Sequence, residues 1–590
     1  MKTYGIDLGT TYSAIAVLDE NNLPQIIENF NEGKYTLPSA VYFPEGGDPV
    51  VGTEAKNFAE VEPDRVVQFV KRGIGTADAK KYEFDGVTYC PTKISSIILK
   101  RIVEYAQAQN HEVKDVVITC PANFKIERRN ATRQAAELIG LNVLNILNEP
   151  TAAALNYCSR EYKENRKILV YDLGGGTFDV TLLDFTVDDS GNPSIDVIDT
   201  DGDDRLGGVD WDDCLYEHIL ERYAEETGES TDDKDAEFCQ QVRNIAEDTK
   251  WKLTTLPAKK VTIERTVNFE VTRETFEELT KPLVARTLDF IRKLLDDTNH
   301  TSDDVHLVLL VGGSTKMPMI QAAVETMFPG KVQIEQPDFA VAKGAAIAAS
   351  IEFLELKEKL VEDLEKELHD IQLSGDTENF AEIYKQLEEV APEIVQEIGA
   401  DGAGLTLETV ETAINTLSSS IQKNSTIGLP KDKLNSSFGP MILAENDTLV
   451  IDNLLFVGDT SPAESVKEYG TMADNQEAVR LSIYENIAND RVNCHVMPDV
   501  DIYGNPQQTD SSLKVNKIGE LYIPLPSGTP AGSPIEVTFR YSTAGLDVIA
   551  KNPVTSEMYD TFIASAQLLS PEDFEATKAQ FATLKTSSEI

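Results

Sequence analysis

Along the first 350 residues, short apolar runs alternate with stretches in which apolar side chains recur every three or four positions. Val116 to Thr119, Lys167 to Tyr171 and Val305 to Val311 are strand-like, and each closes at a Gly, Pro or Asp. Strands alternating with amphipathic helices predict an α/β fold over residues 1–350. From 352 the texture changes. Leu356, Leu360, Leu364, Leu368 and Ile371 share one helix face, Ser374-Gly375-Asp376 interrupts it, and helical patterns return at 379–398 and 406–422. Asn424 to Pro440 is a turn-rich joint, which separates an acidic helical segment at 351–425 from a region of different character. Residues 426–560 are β-like: Leu449 to Val457 and Val479 to Tyr484 are strands, and apolar residues alternate through Ile535, Val537, Phe539 and Tyr541 before Gly545 turns the chain. Within 561–590, Ser570-Pro571-Glu572-Asp573 starts one helix with a hydroxyl N-cap, Pro at N1 and acids in the first turn.

Composition narrows the function classes. The 590 residues are 41% hydrophobic, enough for several cores and too many for a disordered acidic chain. Charges sum to 53 − 100 = −47, and residues 351–400 alone carry 15 acids against 4 bases. A chain of this sign is expected to bind neither nucleic acid nor anionic membranes. The apolar runs are far too short to span a bilayer, and the start of the chain has no apolar leader. Six cysteines without a CxxC read as reduced thiols of a cytoplasmic protein. Cys494 and His495 are adjacent, but two ligands do not make a metal site, and they read as part of a strand.

The chemistry lies in an internal repeat. Gly5-Ile6-Asp7-Leu8-Gly9-Thr10-Thr11 recurs as Tyr171-Asp172-Leu173-Gly174-Gly175-Gly176-Thr177, each copy followed by a strand, at Tyr12 to Leu18 and Phe178 to Phe185. Two strand–turn–strand units of this kind predict a duplicated domain with a cleft between its halves. Glycine turns offer backbone N–H groups to an anion, and the threonine hydroxyls add donors. Asp7 and Asp172 are tolerated beside phosphates when a cation such as Mg²⁺ lies between, bound directly or through its waters. No GxxxxGK[ST] occurs, so this is not a P-loop. A third turn, Gly312-Gly313-Ser314-Thr315, follows a strand and lets a flat base or sugar lie against the backbone.

Taken together, these turns resemble the actin-like ATPase superfamily, and in particular the seventy-kilodalton heat-shock chaperones, the DnaK-like family. Further runs carry the likeness: Val70-Lys71-Arg72, Thr119-Cys120-Pro121, Asn148-Glu149-Pro150-Thr151, Asp172 to Asp179, Leu206-Gly207-Gly208 and Pro337-Asp338. The resemblance implies two lobes around a Mg·ATP cleft, with hydrolysis to ADP and phosphate. By the same resemblance, Lys71 reaches the γ-phosphate and the attacking water, and Glu149 orients that water. Asp7 and Asp172 hold the metal shell, Thr10, Thr11 and Thr177 bind phosphates, and Asp179 is the acid of a potassium site. Gly9, Tyr12, Gly174, Gly175, Gly176, Gly207 and Gly208 line the phosphate side. Glu247, Lys250, Thr254, Gly312, Gly313, Ser314 and Asp338 line the nucleoside side. Trp251 and Lys316 stand where the family has arginines; a tryptophan also stacks on adenine, so the resemblance implies ATP binding with altered affinity. Pro121 and Arg129 match residues that relay nucleotide state to a substrate domain.

Thr471 to Glu485 and Pro534 to Phe539 resemble the family's β-sandwich, which binds extended apolar segments of unfolded polypeptide. J-domain co-chaperones and nucleotide exchange factors are the partners this implies. The family's leucine-rich linker is not visible, acidic helices stand in its place, and Leu568 to Phe574 resembles only the first turn of the family's helical lid. The leading expectation is therefore a DnaK-like chaperone with an unusual linker and a truncated lid. The alternative is an ATP-dependent scaffold for one partner protein. A small-molecule kinase of the same superfamily fits less well, because the matching residues are those of a water-using ATPase.

Overall fold

A computed structural model describes the chain except residues 1, 31, 77, 162–163, 189–192, 233, 335, 375–382, 384, 388–393, 395–406, 422–428, 444–448, 487–493, 497–514, 543–544, 553–554, 563–568 and 587–590. Most of the helix expected at 379–398, and residues 424–428 at the start of the joint expected over 424–440, lie outside the described residues.

The first domain is built twice. In its first sheet β1 (Tyr4–Asp7), β2 (Tyr12–Leu18), β3 (Pro24–Ile26), β4 (Asp115–Cys120) and β5 (Asn142–Asn148) lie in the order β5-β4-β1-β2-β3. In the second, β6 (Arg166–Leu173), β7 (Phe178–Val187), β8 (Pro193–Asp203), β9 (Leu307–Val311) and β10 (Val332–Ile334) lie in the order β8-β7-β6-β9-β10. β1 runs parallel to β4 and antiparallel to β2. β6 runs parallel to β9 and antiparallel to β7. The two strands hold equivalent places, so the turns that follow them, 8–11 and 174–177, leave equivalent ends of the two sheets.

Helices cover both sheets. In the first lobe these include α1 (Thr53–Phe58), α2 (Pro91–Gln107), α3 (Ile126–Glu137) and α4 (Glu149–Glu161). The second lobe has α5 (Gly208–Thr227), α6 (Ala236–Leu253), α7 (Arg273–Asp297) and α8 (Pro318–Met327). α9 (Ala340–Ser374) returns between the lobes. Each sheet has its own core, Ile6, Ile97 and Ile118 in one, Leu169, Trp211 and Leu310 in the other. Ala152 to Leu155 of α4 and Ala345, Ala348 and Ala349 of α9 form the core between them.

α9 spans 35 residues, which at 1.5 Å per residue is roughly 50 Å, and so carries the chain well past the first domain. There Leu364, Leu368 and Ile371 pack against Val410, Ala413, Ile414 and Leu417 of α10 (Leu407–Ile421). The expected apolar face starts one turn late: Leu356 is 48% exposed, and burial begins around Leu360.

Beyond 436 lie two antiparallel sheets. One is ordered β15-β12-β11-β14-β16, made of β11 (Ser437–Leu443), β12 (Leu449–Asp452), β14 (Ala478–Asn486), β15 (Cys494–Val496) and β16 (Val515–Pro524). The other is ordered β13-β17-β18-β19, made of β13 (Ala463–Gly470), β17 (Pro534–Ser542), β18 (Gly545–Lys551) and β19 (Met558–Phe562). Alternating residues of both, among them Phe438, Ile483, Ile523, Val537, Phe539 and Val548, meet in one core. Cys494 and His495 fall on β15, as a strand reading requires.

The last helix, α11 (Pro571–Thr583), begins as its sequence dictates, with the Ser570 hydroxyl accepting the Asp573 amide at 3.1 Å. It packs on the first lobe. Phe581 is 2% exposed and belongs to that lobe's core, and Gln134 of α3 accepts the Leu569 amide at 3.0 Å.

Candidate active site

The two repeated turns meet face to face. A Cβ on Gly175 would lie 2.3 Å from Thr11 Oγ1, and one on Gly176 would lie 2.4 Å from Thr10 Cγ2. Only glycine fits at this approach, which accounts for Gly175 and Gly176 of the second turn. The first turn is braced from behind: Ser13 Oγ accepts the Gly9 amide at 3.1 Å, and the Ser39 hydroxyl donates to the Gly9 carbonyl at 2.9 Å. Other site elements converge on Gly174, whose carbonyl accepts the Gly208 amide at 3.0 Å and the Ser314 hydroxyl at 2.8 Å. The second turn, the start of α5 at Gly207-Gly208 and the turn after β9 therefore form one backbone-rich wall.

Charge is buried behind the turns. Lys71, on a short 3₁₀ turn (Val70–Gly73), pairs with Glu149 at the head of α4, and both are more than nine-tenths buried. Asp172 and Asp179 are buried beside the pair, and Asp7 at the end of β1 is half-buried next to it. Burial, reinforced by Glu149, pushes Asp7 up to about 7 and Asp179 up to about 8, and raises Asp172 in the same direction. Burial works against the Lys71 charge, but Glu149 and Asp7 more than offset it and its pKa is raised.

Four carboxyls against one ammonium is a donor set short of positive charge, and it fits added cations. Asp179 Oδ1 is buried without a hydrogen-bond partner among the described residues, as an acceptor facing a monovalent cation would be. Among the described residues no three His, Cys, Asp or Glu side chains are grouped to ligate a metal directly. A hydrated divalent ion, held through its waters, suits that spacing better than a cage of carboxylates.

On the nucleoside side, Lys250 of α6 donates to the Gly208 carbonyl at 2.9 Å and to Asp212 at 2.6 Å. Glu247, one turn earlier, accepts from Lys56 of α1 at 2.6 Å and so ties the rims of the two lobes. Tyr12 lies beside it, its hydroxyl 3.5 Å from Lys56 Nζ. Thr254 donates to the Trp251 carbonyl, and the Trp251 side chain is 67% exposed on the helix surface. Lys316 pairs with Asp338, and Gly313 lies against the same aspartate. The structure thus links Lys250 to Gly208, Glu247 to Lys56 and Lys316 to Asp338, and it leaves Trp251 exposed on the surface of α6.

A model of the family described as Hsp70 protein matches residues 3–390. That is 388 of 590 residues, well over half. The chain belongs to the Hsp70 family. Hsp70 proteins are chaperone-type ATPases that bind ATP or ADP with magnesium, and they act on unfolded polypeptides together with co-chaperones. The duplicated lobes of this Hsp70 chain are consistent with the actin-like fold expected of the family. No helix among its described residues is long and apolar enough to cross a membrane.

This Hsp70 chain also joins its domains where the sequence shows no leucine-rich linker. Lys431 lies beside β8: its amide donates to the Ile195 carbonyl at 3.0 Å, and its carbonyl accepts the Val197 amide at 3.1 Å. Asp432 follows, accepting the Thr151 hydroxyl at 2.9 Å. Burial raises the Asp432 carboxyl, against the pull of nearby Arg129. Arg129 itself is held by Asn148 at 2.6 Å and by the Ile146 carbonyl. Farther along, Lys125 donates to the Asn435 carbonyl at 2.5 Å, and Asn435 donates to the Phe124 carbonyl at 2.8 Å. The docking strip at 429–435 escapes a sequence reading because its partners on β8, α4 and the start of α3 lie far away in the chain, and Lys431 docks through its backbone, which leaves no residue signature. Pro121 and Arg129 were legible, and Arg129 lies at this strip.

Proposed function

We propose that this protein is an ATP-hydrolysing chaperone that couples a Mg·ATP cycle to the binding of extended apolar segments of unfolded proteins. The observation that carries the reading is the buried Lys71–Glu149 pair, set among Asp7, Asp172 and Asp179 behind two touching glycine turns. In this reading the amides and hydroxyls of Thr10, Thr11 and Thr177 hold the phosphates. Lys71 places its ammonium at the terminal phosphoryl group, and Glu149 orients or deprotonates the attacking water. Bound Mg²⁺ would add neutralisation of phosphate charge. Asp7 and Asp172 would hold its waters, and Asp179 a potassium ion. In this reading Gly312, Gly313, Ser314, Glu247, Lys250, Thr254 and Asp338 form the nucleoside wall, with Lys316 paired to Asp338.

Residues 426–560 are read as a β-sandwich that receives peptide by main-chain hydrogen bonds. Support comes from the single core that its two sheets share. The acidic helices at 351–425 are read as a packed insertion between the ATPase domain and the docking strip, and 561–590 as a lid-like helix. Single-turnover hydrolysis by the intact protein tests the reading: turnover lost in Glu149→Gln with ATP still bound supports it, and no turnover in the unaltered protein ends it.

One observation favours a second reading, an ATP-dependent scaffold for a single partner: α11 is bound to the first lobe through Phe581 and leaves the two sheets uncovered by any lid among the described residues. A labelled peptide library that finds no binder, beside one stoichiometric partner recovered in pull-downs, would favour it.

A further inference from the structure

Arg128 lies one residue before Arg129, in the first turn of α3, and the chemistry proposed above does not use it. Its residue is 7% exposed, and its guanidinium lies 3.6 Å from the centre of the Phe124 ring. Nε donates to the Ile74 carbonyl at 3.2 Å, and Nη2 donates to the carbonyls of Lys71 and Arg72, each at 3.2 Å. Nη1 pairs with Asp204, which belongs to the opposite lobe between β8 and Gly207. One cation thus gathers two carbonyls of the turn that carries Lys71, and that of the residue after it, and ties them to Asp204 of the second lobe. Gly75 makes the approach possible: it has φ +66°, and a Cβ there would lie 2.7 Å from Arg128 Cα. A lysine could not replace this arginine, because an ammonium has three tetrahedral donors where the guanidinium has a planar fork of five.

We propose that Arg128 is a positioning residue for ATP hydrolysis, clamping the Val70–Gly73 turn, and with it Lys71, to Asp204 of the second lobe. This rests on the reading of Lys71 as the residue at the terminal phosphoryl group. The pair with Asp204 is half-open to water, its carboxylate 44% exposed, so it adds little to stability. It acts by direction: when the lobes close, Asp204 draws the Lys71 turn with it. Arg72 of the same turn makes its own ties to the second lobe, to Asp210 at 2.8 Å and to the Gly176 carbonyl at 3.2 Å, and Arg128 adds to these the tie anchored on α3. A carbonyl turn left without its donor shifts, and a misplacement near 1 Å costs about a hundredfold in rate.

The test uses the full chain with Arg128→Gln, Asp204→Asn and the double variant. Three quantities are read: the single-turnover hydrolysis rate, ATP affinity, and hydrogen exchange of amides 71–76 in nucleotide-free protein. Each single variant is expected to hydrolyse ATP about tenfold or more slowly, with ATP affinity within about threefold of the original. The double variant is expected to be no slower than the worse single, because both break one clamp. Arg128→Gln is expected to speed exchange at 71–76 about tenfold. Arg128→Lys should not rescue hydrolysis. Hydrolysis at the original rate in either folded variant, or losses that multiply in the double, would overturn the proposal. Should Arg128→Gln fail to fold, Asp204→Asn decides alone. If the unaltered protein hydrolyses no ATP, it is the ATPase reading that fails. Exchange at 71–76 then still judges the clamp: faster exchange in the folded variants upholds it, and unchanged exchange removes it.

Discussion

Thr151 donates its hydroxyl to Asp432 at 2.9 Å, joining the helix that begins at Glu149 to the strip that leads into the two sheets. α4 therefore has the proposed water-orienting carboxylate at its first residue and the interdomain contact two residues later. A shift of Glu149 that follows the nucleotide moves Thr151 with it, because both lie in one helical turn. Asp432→Asn keeps the shape but loses the charge that Arg129 faces. It is expected to leave ATP hydrolysis intact and to abolish the effect of ATP on peptide affinity, an effect of about 5–150-fold in typical coupled proteins. Paired titrations of the same peptide with ATP and with ADP measure it, and unchanged coupling would show that Asp432 is only a tether.

Gly176 tolerates no side chain, since a Cβ would lie 2.4 Å from Thr10 Cγ2. Gly176→Ala is expected to spread the two turns, costing about 1–3 kcal/mol in overpacking and about tenfold or more in ATP affinity. Calorimetric titration with ATP reads this directly. Affinity equal to that of the unaltered protein would mean that the turns do not close on the phosphates.

Lys71 and Glu149 separate binding from chemistry. Glu149→Gln keeps a polar group of the same size while removing the base, so single-turnover hydrolysis is expected to fall about 10²–10⁴-fold with ATP affinity nearly kept. Lys71→Ala leaves Glu149 buried without its partner, so both rate and thermal stability should fall, the latter by about 3–5 kcal/mol. Equal loss of binding and rate in Glu149→Gln would contradict the role given to this carboxylate.

Glu485 gives the contact between the domains a pH dependence. The residue is fully buried on β14, facing Ser436 and the Glu127 and Lys125 side chains of the first lobe, with Tyr541 of β17 also close. Burial, then Glu127, pushes it from 4.5 up to about 8. A carboxyl raised in the assembled state binds more protons there than when released. Its favourable contribution is thus full below about 4.5 and disappears as pH rises through about 8. Fluorescence transfer between labels on the two domains should show separation growing from pH 6 to 9, and Glu485→Gln should flatten that profile. An equally steep profile in Glu485→Gln would assign the proton elsewhere.

What the sequence made legible was what is local. The Asp-Leu-Gly turns announce themselves because a tight turn under a phosphate demands glycines and hydroxyls at fixed offsets, and the sheets place those turns at equivalent strand ends. Lys71, Glu149 and Asp172 were found through the runs around them, and the fold buries them together. Relations between distant positions stayed hidden. Arg128 and Asp204 are 76 residues apart, and nothing in either neighbourhood announces the pair. Lys431 docks through its backbone, which any residue could supply. Leu356 belongs to the expected apolar face yet is exposed, because the partner helix packs only from about Leu360 onward. Phe574 and Phe581 are spaced two turns apart on the last helix, but nothing local says which surface they meet, and only tertiary packing places Phe581 in the core of the first lobe with Phe574 against it.

The coupling of the two domains is the central claim, and the affinity of a labelled, extended leucine-rich peptide for the intact protein tests it most directly. Measured with saturating ATP and again with ADP, the peptide should bind more weakly with ATP, and by linkage it should weaken ATP binding by the same factor. Affinity that ignores the nucleotide, or no peptide binding in either state, would contradict the account.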